Sequence, residues 1–295
     1  MGSVASTIKR RFIKLMSKVY DPLVDLAIGN QTIKIPLSHM LRENVALYPD
    51  YNFNLPRIIK YVSQFVPDVR VIDIGANIGD TVAFIKNYTD VPILCIDGEE
   101  KYFATLRKNV AKYSNVSICL SLVGAETKET NLKLKMDKGT AFVEESKEKT
   151  TIRTLENILG EFVNFKNSKI VKVDTDGYDT LILRGSENYL RTNNPILFFE
   201  FDPYLIKNNG DDAFSFITYL KNCGYYYFIF YMSNGDYLVS CSIEQEDIIM
   251  QLVHYFSGRK VTLYADVCAF TASDKAIYET CVKEEIQHFK KMRNY

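Results

Sequence analysis

A chain of 295 residues, 47% hydrophobic and 24% charged, is long enough to bury a large core and too apolar to remain disordered. Its 36 basic and 36 acidic side chains cancel, which removes the positive field expected of a nucleic-acid-binding protein. No run approaches the roughly 18 apolar residues of a membrane span, and six scattered cysteines without a CxxC pair read as reduced core thiols rather than a disulfide frame or a zinc site.

The first twenty residues carry Lys9, Arg10, Arg11, Lys14 and Lys18 and no acid, with Ile8, Phe12, Leu15 and Val19 at helical spacing. A basic amphipathic helix is expected there, either packed on the domain with solvated lysines or touching an anionic membrane surface as a peripheral contact. Lys14 and Lys18 break any secretion-signal core, so a cytoplasmic location is expected. Next, "LAIGNQTIKIPL" reads as two short strands about a Gly29-Asn30 turn, and "NLPRIIKYVSQF" as a helix with Pro56 near its first turn.

From residue 69 the pattern repeats. Five apolar runs, "VRVIDIG", "VPILCIDG", "VSICLSLVG", "KIVKVDTDG" and "PILFFEFD", alternate with helical stretches such as "TVAFIKNY", "KYFATLRKNVAKY" and "YDTLILRGSENYLR". Continuous β-rich runs between helices predict an α/β, doubly wound Rossmann-like fold whose ligand sits at the carboxyl ends of the strands. Beyond them come a helix ending near Gly224, two strands flanking "SNGD", the helix "EDIIMQLVHYF", a last strand in "VTLYADVCAF" and a charged helical tail. No linker divides the chain, so residues 1–65 are expected as an N-terminal extension and residues 66–295 as one catalytic domain.

The stretch "VIDIGANIGD" at residues 71–80 sets the ligand class. A dinucleotide fingerprint, G-x-G-x-x-G, would need glycines where Asn77 and Asp80 stand, and Asp80 puts negative charge where a pyrophosphate would have to rest. No G-K-[ST] follows, so a Walker loop is excluded. The pattern Asp73-x-Gly75-x-x-x-Gly79 suits a ligand with an amino group and no phosphate, and S-adenosylmethionine has that chemistry. Asp97 ends the second strand 22 residues after Gly75, where an acid can accept both hydroxyls of a ribose.

Together with "ILCIDGEEKYFATLRKN", "KIVKVDTDGYDTLILRGS" and "PILFFEFDPYL", this stretch resembles the FkbM-type S-adenosylmethionine-dependent methyltransferases over about residues 45 to 270. The resemblance implies a class I methyltransferase sheet of seven strands, mostly parallel with an antiparallel last strand. It also implies O-methylation of a sugar or polyketide-type hydroxyl, with S-adenosylhomocysteine as product. By position it implies Asp73, Gly75, Ala76, Asn77 and Gly79 as the cofactor loop and Asp97 as the ribose acid. The chain has Asp97-Gly98 where the family often has Glu-Pro, and "TDG" where it often has Val-Glu-Gly.

Acids crowd the carboxyl edge of the expected sheet: Asp174, Asp176, Asp179, Glu200 and Asp202. Methyl transfer is an in-line displacement that needs an acceptor atom placed about 3 Å from the methyl carbon. A hydroxyl acceptor gains from a base near its proton, for which Asp174 is the first candidate and Glu200 the second. Asp176 with Gly177 and Asp179 also suit a turn and a helix cap. The same acids are oxygen ligands of the kind Mg²⁺ takes. Neither a [DNS]-P-P-[YFW] loop nor a basic groove is present, so the expected partner is a small-molecule or glycan acceptor and not nucleic acid. A methyltransferase-fold binding or regulatory protein without catalysis is the alternative.

Overall fold

The computed structural model describes residues 20–137, 140–257 and 263–294, with the side chains of residues 132–148 outside the description. The basic helix expected over the first twenty residues lies outside the described residues, Tyr20 excepted. Leu23–Ile28 (β1) and Gln31–Pro36 (β2) pair antiparallel across Gly29, whose φ of +57° a glycine adopts without strain. Leu41–Leu47 (α1) and Asn54–Val62 (α2) lead into the central sheet.

The sheet is built by Val71–Ile74 (β3), Asp80–Ile85 (α3), Ile93–Asp97 (β4), Glu100–Val110 (α4) and Val116–Leu120 (β5). A separate three-stranded sheet follows, from Leu122–Val123 (β6), Lys128–Asp137 (β7) and Thr140–Arg153 (β8), in the order β6-β8-β7. The chain re-enters the main sheet through Leu155–Leu159 (α5), Ile170–Val173 (β9), Asp179–Arg184 (α6), Glu187–Asn193 (α7) and Ile196–Phe201 (β10). The stretch read as one helix from residue 178 is two, parted at Gly185. A Cβ there would lie 2.3 Å from the Ala125 Cα, so the backbone passes too close for a side chain.

Pro203–Asn208 (α8), Ala213–Asn222 (α9), Tyr225–Met232 (β11), Tyr237–Ser242 (β12), Glu246–Phe256 (α10), Ala265–Thr271 (β13) and Lys275–Met292 (α11) complete the order. The main sheet runs β12-β11-β13-β10-β9-β3-β4-β5. Neighbours from β10 to β5 are parallel, and β13 lies antiparallel between β10 and β11. These are the seven anticipated strands with the last one antiparallel; β12 adds an eighth at the edge as a hairpin partner of β11.

Residues alternate between the two faces. Ile72, Val171, Leu197 and Phe199 face the layer that holds Leu155, Leu183 and Phe216. Val71, Ile170, Ile196 and Phe198 face the layer of α2, α3 and α11, where Leu55, Ile58, Val82 and Cys281 pack. With both faces covered, the parallel strands are apolar almost throughout, and each buried large side chain contributes about 1.5–3 kcal/mol. All six cysteines are buried and free, and no helix among the described residues is long and apolar enough to cross a membrane.

The hairpin β1-β2 packs Ile33 and Ile35 against Ala83 and Phe84 of α3 and Tyr102 of α4. Asn109 of α4 stitches it in place: its Oδ1 accepts from Lys34 N at 2.7 Å, and its Nδ2 donates to the carbonyls of Lys34 and Ile78 at 2.8 Å. Within the same helical layer α11 is clamped to α2. Arg57 Nε and Nη2 donate to the two carboxylate oxygens of Glu285 at 2.7 and 2.8 Å, and Nη1 reaches Asp50 Oδ1 at 3.3 Å. His288 Nε2 stands 2.9 Å from the other oxygen of Asp50.

Candidate active site

Strand order reverses between β3 and β9, with β4 and β5 added on one side and β10 on the other. Open α/β sheets place their ligand crevice at such a point, beyond the carboxyl ends of the strands. Here Asp73 of β3 and Lys172 of β9 are register partners on the α2 face. Lys172 Nζ lies 3.0 Å from Asp73 Oδ1, 3.3 Å from Asp174 Oδ2 and 3.4 Å from the Gly75 carbonyl oxygen. Burial opposes the lysine's charge, but attraction to Asp73 and Asp174 outweighs it and raises its pKa. Asp73 itself is 0% exposed. The ammonium beside this acid is therefore the chain's own, that of Lys172.

The glycine loop is fixed from several sides. Gly75, at φ +79°, could not carry a Cβ, which would fall 1.9 Å from the Asp174 carbonyl oxygen. Gly79, at φ +81°, starts α3 against α4, where a Cβ would meet Leu106 Cδ1 at 2.7 Å. Between them Ala76 is buried, and Asn77 is left-handed at φ +48° with its Oδ1 3.4 Å from His39 Nε2. The Asn77 amide donates to Asp97 Oδ2 at 2.7 Å, and the Glu99 amide donates to Asp97 Oδ1 at 2.8 Å. Each oxygen of Asp97 thus receives one amide and keeps capacity to accept another donor. Burial pushes the Asp97 pKa up to about 6 against the pull of those amides.

The acids at the mouth separate into two groups. Asp176, at φ +51°, and Gly177, at φ +91°, make a turn, and Asp179 closes it by accepting from Thr175 N, Thr175 Oγ1 and Gly177 N at 3.3, 3.1 and 3.3 Å. Asp202 caps α8, accepting from Tyr204 N and Leu205 N at 2.9 and 3.2 Å. Asp174 and Glu200 instead line a shallow cleft open to solvent. Asn52, Asn54 and Leu55, Thr81 and Phe84 of α3, and Lys172, Phe198 and Asp266 of the sheet share its lining. Asp174 is half exposed, whereas Glu200 is buried, and burial beside Asp174 and Asp179 lifts its pKa well above the usual carboxylate range.

Lys172, Asp266 and His39 went unread as site residues in the sequence. A signal existed for two of them: "IVKVD" and "YADVCAF" each place one charge inside a run that should be apolar in a strand covered on both faces. Because β13 is antiparallel, its amino end brings Asp266 to the edge where the parallel strands finish, directly across from Glu200. Nothing local distinguishes His39, which reaches the glycine loop only because the hairpin folds back over α3. No group of three or more His, Cys, Asp or Glu among the described residues is placed to hold a metal ion.

The family model described as the methyltransferase FkbM domain matches residues 73–227. Among solved structures, the methyltransferase FkbM of Methylobacillus flagellatus aligns at 16% identity and a TM-score of 0.35, covering 45% of this chain and 32% of that one. The chain thus spans about a third of that protein's length. The precorrin-6y C5,15-methyltransferase of Geobacter metallireducens aligns at 12% identity and a TM-score of 0.39, covering 70% of this chain and 81% of that one. An rRNA methylase of Streptococcus thermophilus aligns at 10% identity and a TM-score of 0.38, covering 69% and 87%. No curated protein matches. With more than half of its 295 residues inside the matched segment, among them the glycine loop, Asp97, Asp174 and Glu200, the chain belongs to the methyltransferase FkbM domain family.

Proposed function

We propose that the protein transfers a methyl group from S-adenosylmethionine to a hydroxyl of a sugar, glycan or related small molecule. The observation that carries this reading is Asp97, a strand-end carboxyl oriented by the Asn77 and Glu99 amides beside a glycine turn that excludes a side chain at Gly75. That donor set fits a ribose diol, and the acidic surroundings disfavour a phosphate. The cofactor, when bound, supplies an electrophilic methyl on a sulfonium.

The remaining work falls to this chain's side chains. Asp97 accepts from the ribose hydroxyls, and Gly75 lets the backbone come close to the ligand. Lys172 holds Asp174 at the cleft, where its carboxylate takes a hydrogen bond from the acceptor hydroxyl and then its proton. Glu200 faces the same cleft from β10 and orients the acceptor through a hydrogen bond.

Calorimetric titration with S-adenosylhomocysteine tests the reading. Binding is expected, and Asp97→Ala should weaken it about tenfold or more by removing a charge-assisted acceptor. A folded wild-type protein that does not bind refutes the proposal and favours a binding or regulatory protein that keeps the fold without the chemistry.

A further inference from the structure

Glu200 is only 8% exposed and lines the cleft, yet it makes no hydrogen bond or ion pair among the described residues. Directly opposite it on β13 stands Asp266, also at the cleft, whose side chain meets Asn54 Nδ2 at 3.4 Å. Asp174 is the third carboxyl of the lining. Against these three, Lys172 is the one basic side chain among the described lining residues, and its ammonium is already shared by Asp73, Asp174 and the Gly75 carbonyl. A buried carboxyl left without a partner, as Glu200 is, is costly, and the cost is relieved by a ligand that brings positive charge. An anionic acceptor would meet repulsion, and a neutral polyol would leave the excess of carboxyls uncompensated.

We propose that the cleft takes a methyl acceptor bearing an ammonium group, such as an amino sugar, with Glu200 and Asp266 receiving the ammonium while Asp174 faces the hydroxyl to be methylated. The inference rests on the methyltransferase reading above and narrows its acceptor class.

Ligand-observed NMR titrations test it with three probes: methyl 2-amino-2-deoxyglucoside, its N-acetyl derivative and methyl glucoside. Each is titrated with and without saturating S-adenosylhomocysteine. The amino sugar is expected to bind about tenfold tighter than either neutral glycoside, the difference a charge-assisted hydrogen bond makes. Glu200→Gln should erase that preference while leaving S-adenosylhomocysteine affinity unchanged, which also reports that the variant is folded; Asp266→Asn provides the same comparison independently. Equal affinities, absent binding of the amino sugar, or a preference that survives both variants overturns the proposal. Loss of S-adenosylhomocysteine binding with the amino-sugar preference intact would instead refute the methyltransferase reading and leave the ammonium site standing.

Discussion

Replacing Lys172 with methionine removes the cation between Asp73 and Asp174 while keeping a side chain of similar length. Asp73 is fully buried, so the change strands a carboxylate with only the Thr81 hydroxyl nearby. Stripping one partner from a buried pair costs about 3–5 kcal/mol. The Asp174 contact, half in water, adds at most about 0.5 kcal/mol after screening. At about 2.1 cal/mol/K per residue, 295 residues unfold with an entropy near 0.6 kcal/mol/K, so Tm should fall by about 5–8 °C. Melts followed by circular dichroism at pH 5 and pH 8 measure it. Burial already raises the Asp73 pKa against the pull of Lys172, and without the lysine it rises further. A carboxyl whose folded pKa exceeds its unfolded value contributes stability at low pH that is lost as pH climbs through the folded value. The deficit of Lys172→Met should therefore be larger at pH 8 than at pH 5, and adding Asp73→Asn should recover most of it. A Tm within about 1 °C of wild type, or a double variant as unstable as the single one, would show that Lys172 does not neutralise Asp73.

Three further outcomes follow from the same geometry. Gly75→Ala drives a Cβ into the Asp174 backbone and should cost about 3 kcal/mol or more, whereas Gly79→Ala meets the end of a leucine side chain and should cost about 1–2 kcal/mol; equal urea midpoints for the two would contradict this. Affinity for S-adenosylhomocysteine should drop as pH falls through about 6, where Asp97 takes up a proton and ceases to accept from ribose; a flat affinity from pH 5 to 7.5 would remove Asp97 from the ribose contact. Glu200→Gln should be neutral in acid and stabilising in alkali. The raised pKa of Glu200 means that its contribution to stability disappears as pH rises through the folded value, and the amide has no charge to desolvate. Melts at pH 5 and 9 that show no such divergence would place water or a cation beside Glu200.

The alternation of β-rich runs with helices was sufficient to foresee the parallel sheet, because strands covered on both faces must be apolar throughout. It also fixed the positions of Asp73, Asp97, Asp174 and Glu200, since strand ends are where the runs stop. What it left unread depends on contacts distant in sequence. Lys172 and Asp266 acquire meaning only when β9 meets β3 and when β13 inserts antiparallel beside β10. The three-stranded sheet of β6, β7 and β8 hides in a Lys- and Glu-rich stretch where "NLKLKMD" is the only clear two-residue alternation. Asp179 and Asp202 show the opposite lesson, since one oxygen of each is taken up by local bonding to nearby backbone amides.

The clamp between Arg57 and Glu285 has a consequence for the order of assembly during synthesis. The two residues are 228 positions apart, and Arg57 also holds Asp50, next to the residues that wall the cleft. On a ribosome adding about 5–20 residues per second, Arg57 waits roughly 11–46 s for its carboxylate partner. The parallel strands can pair within that interval, but the wall of Asn52 and Asn54 cannot be locked until α11 emerges. The cleft is thus completed only after Glu285 has been made, and a nascent chain shows its acids to solvent before it can enclose anything between them.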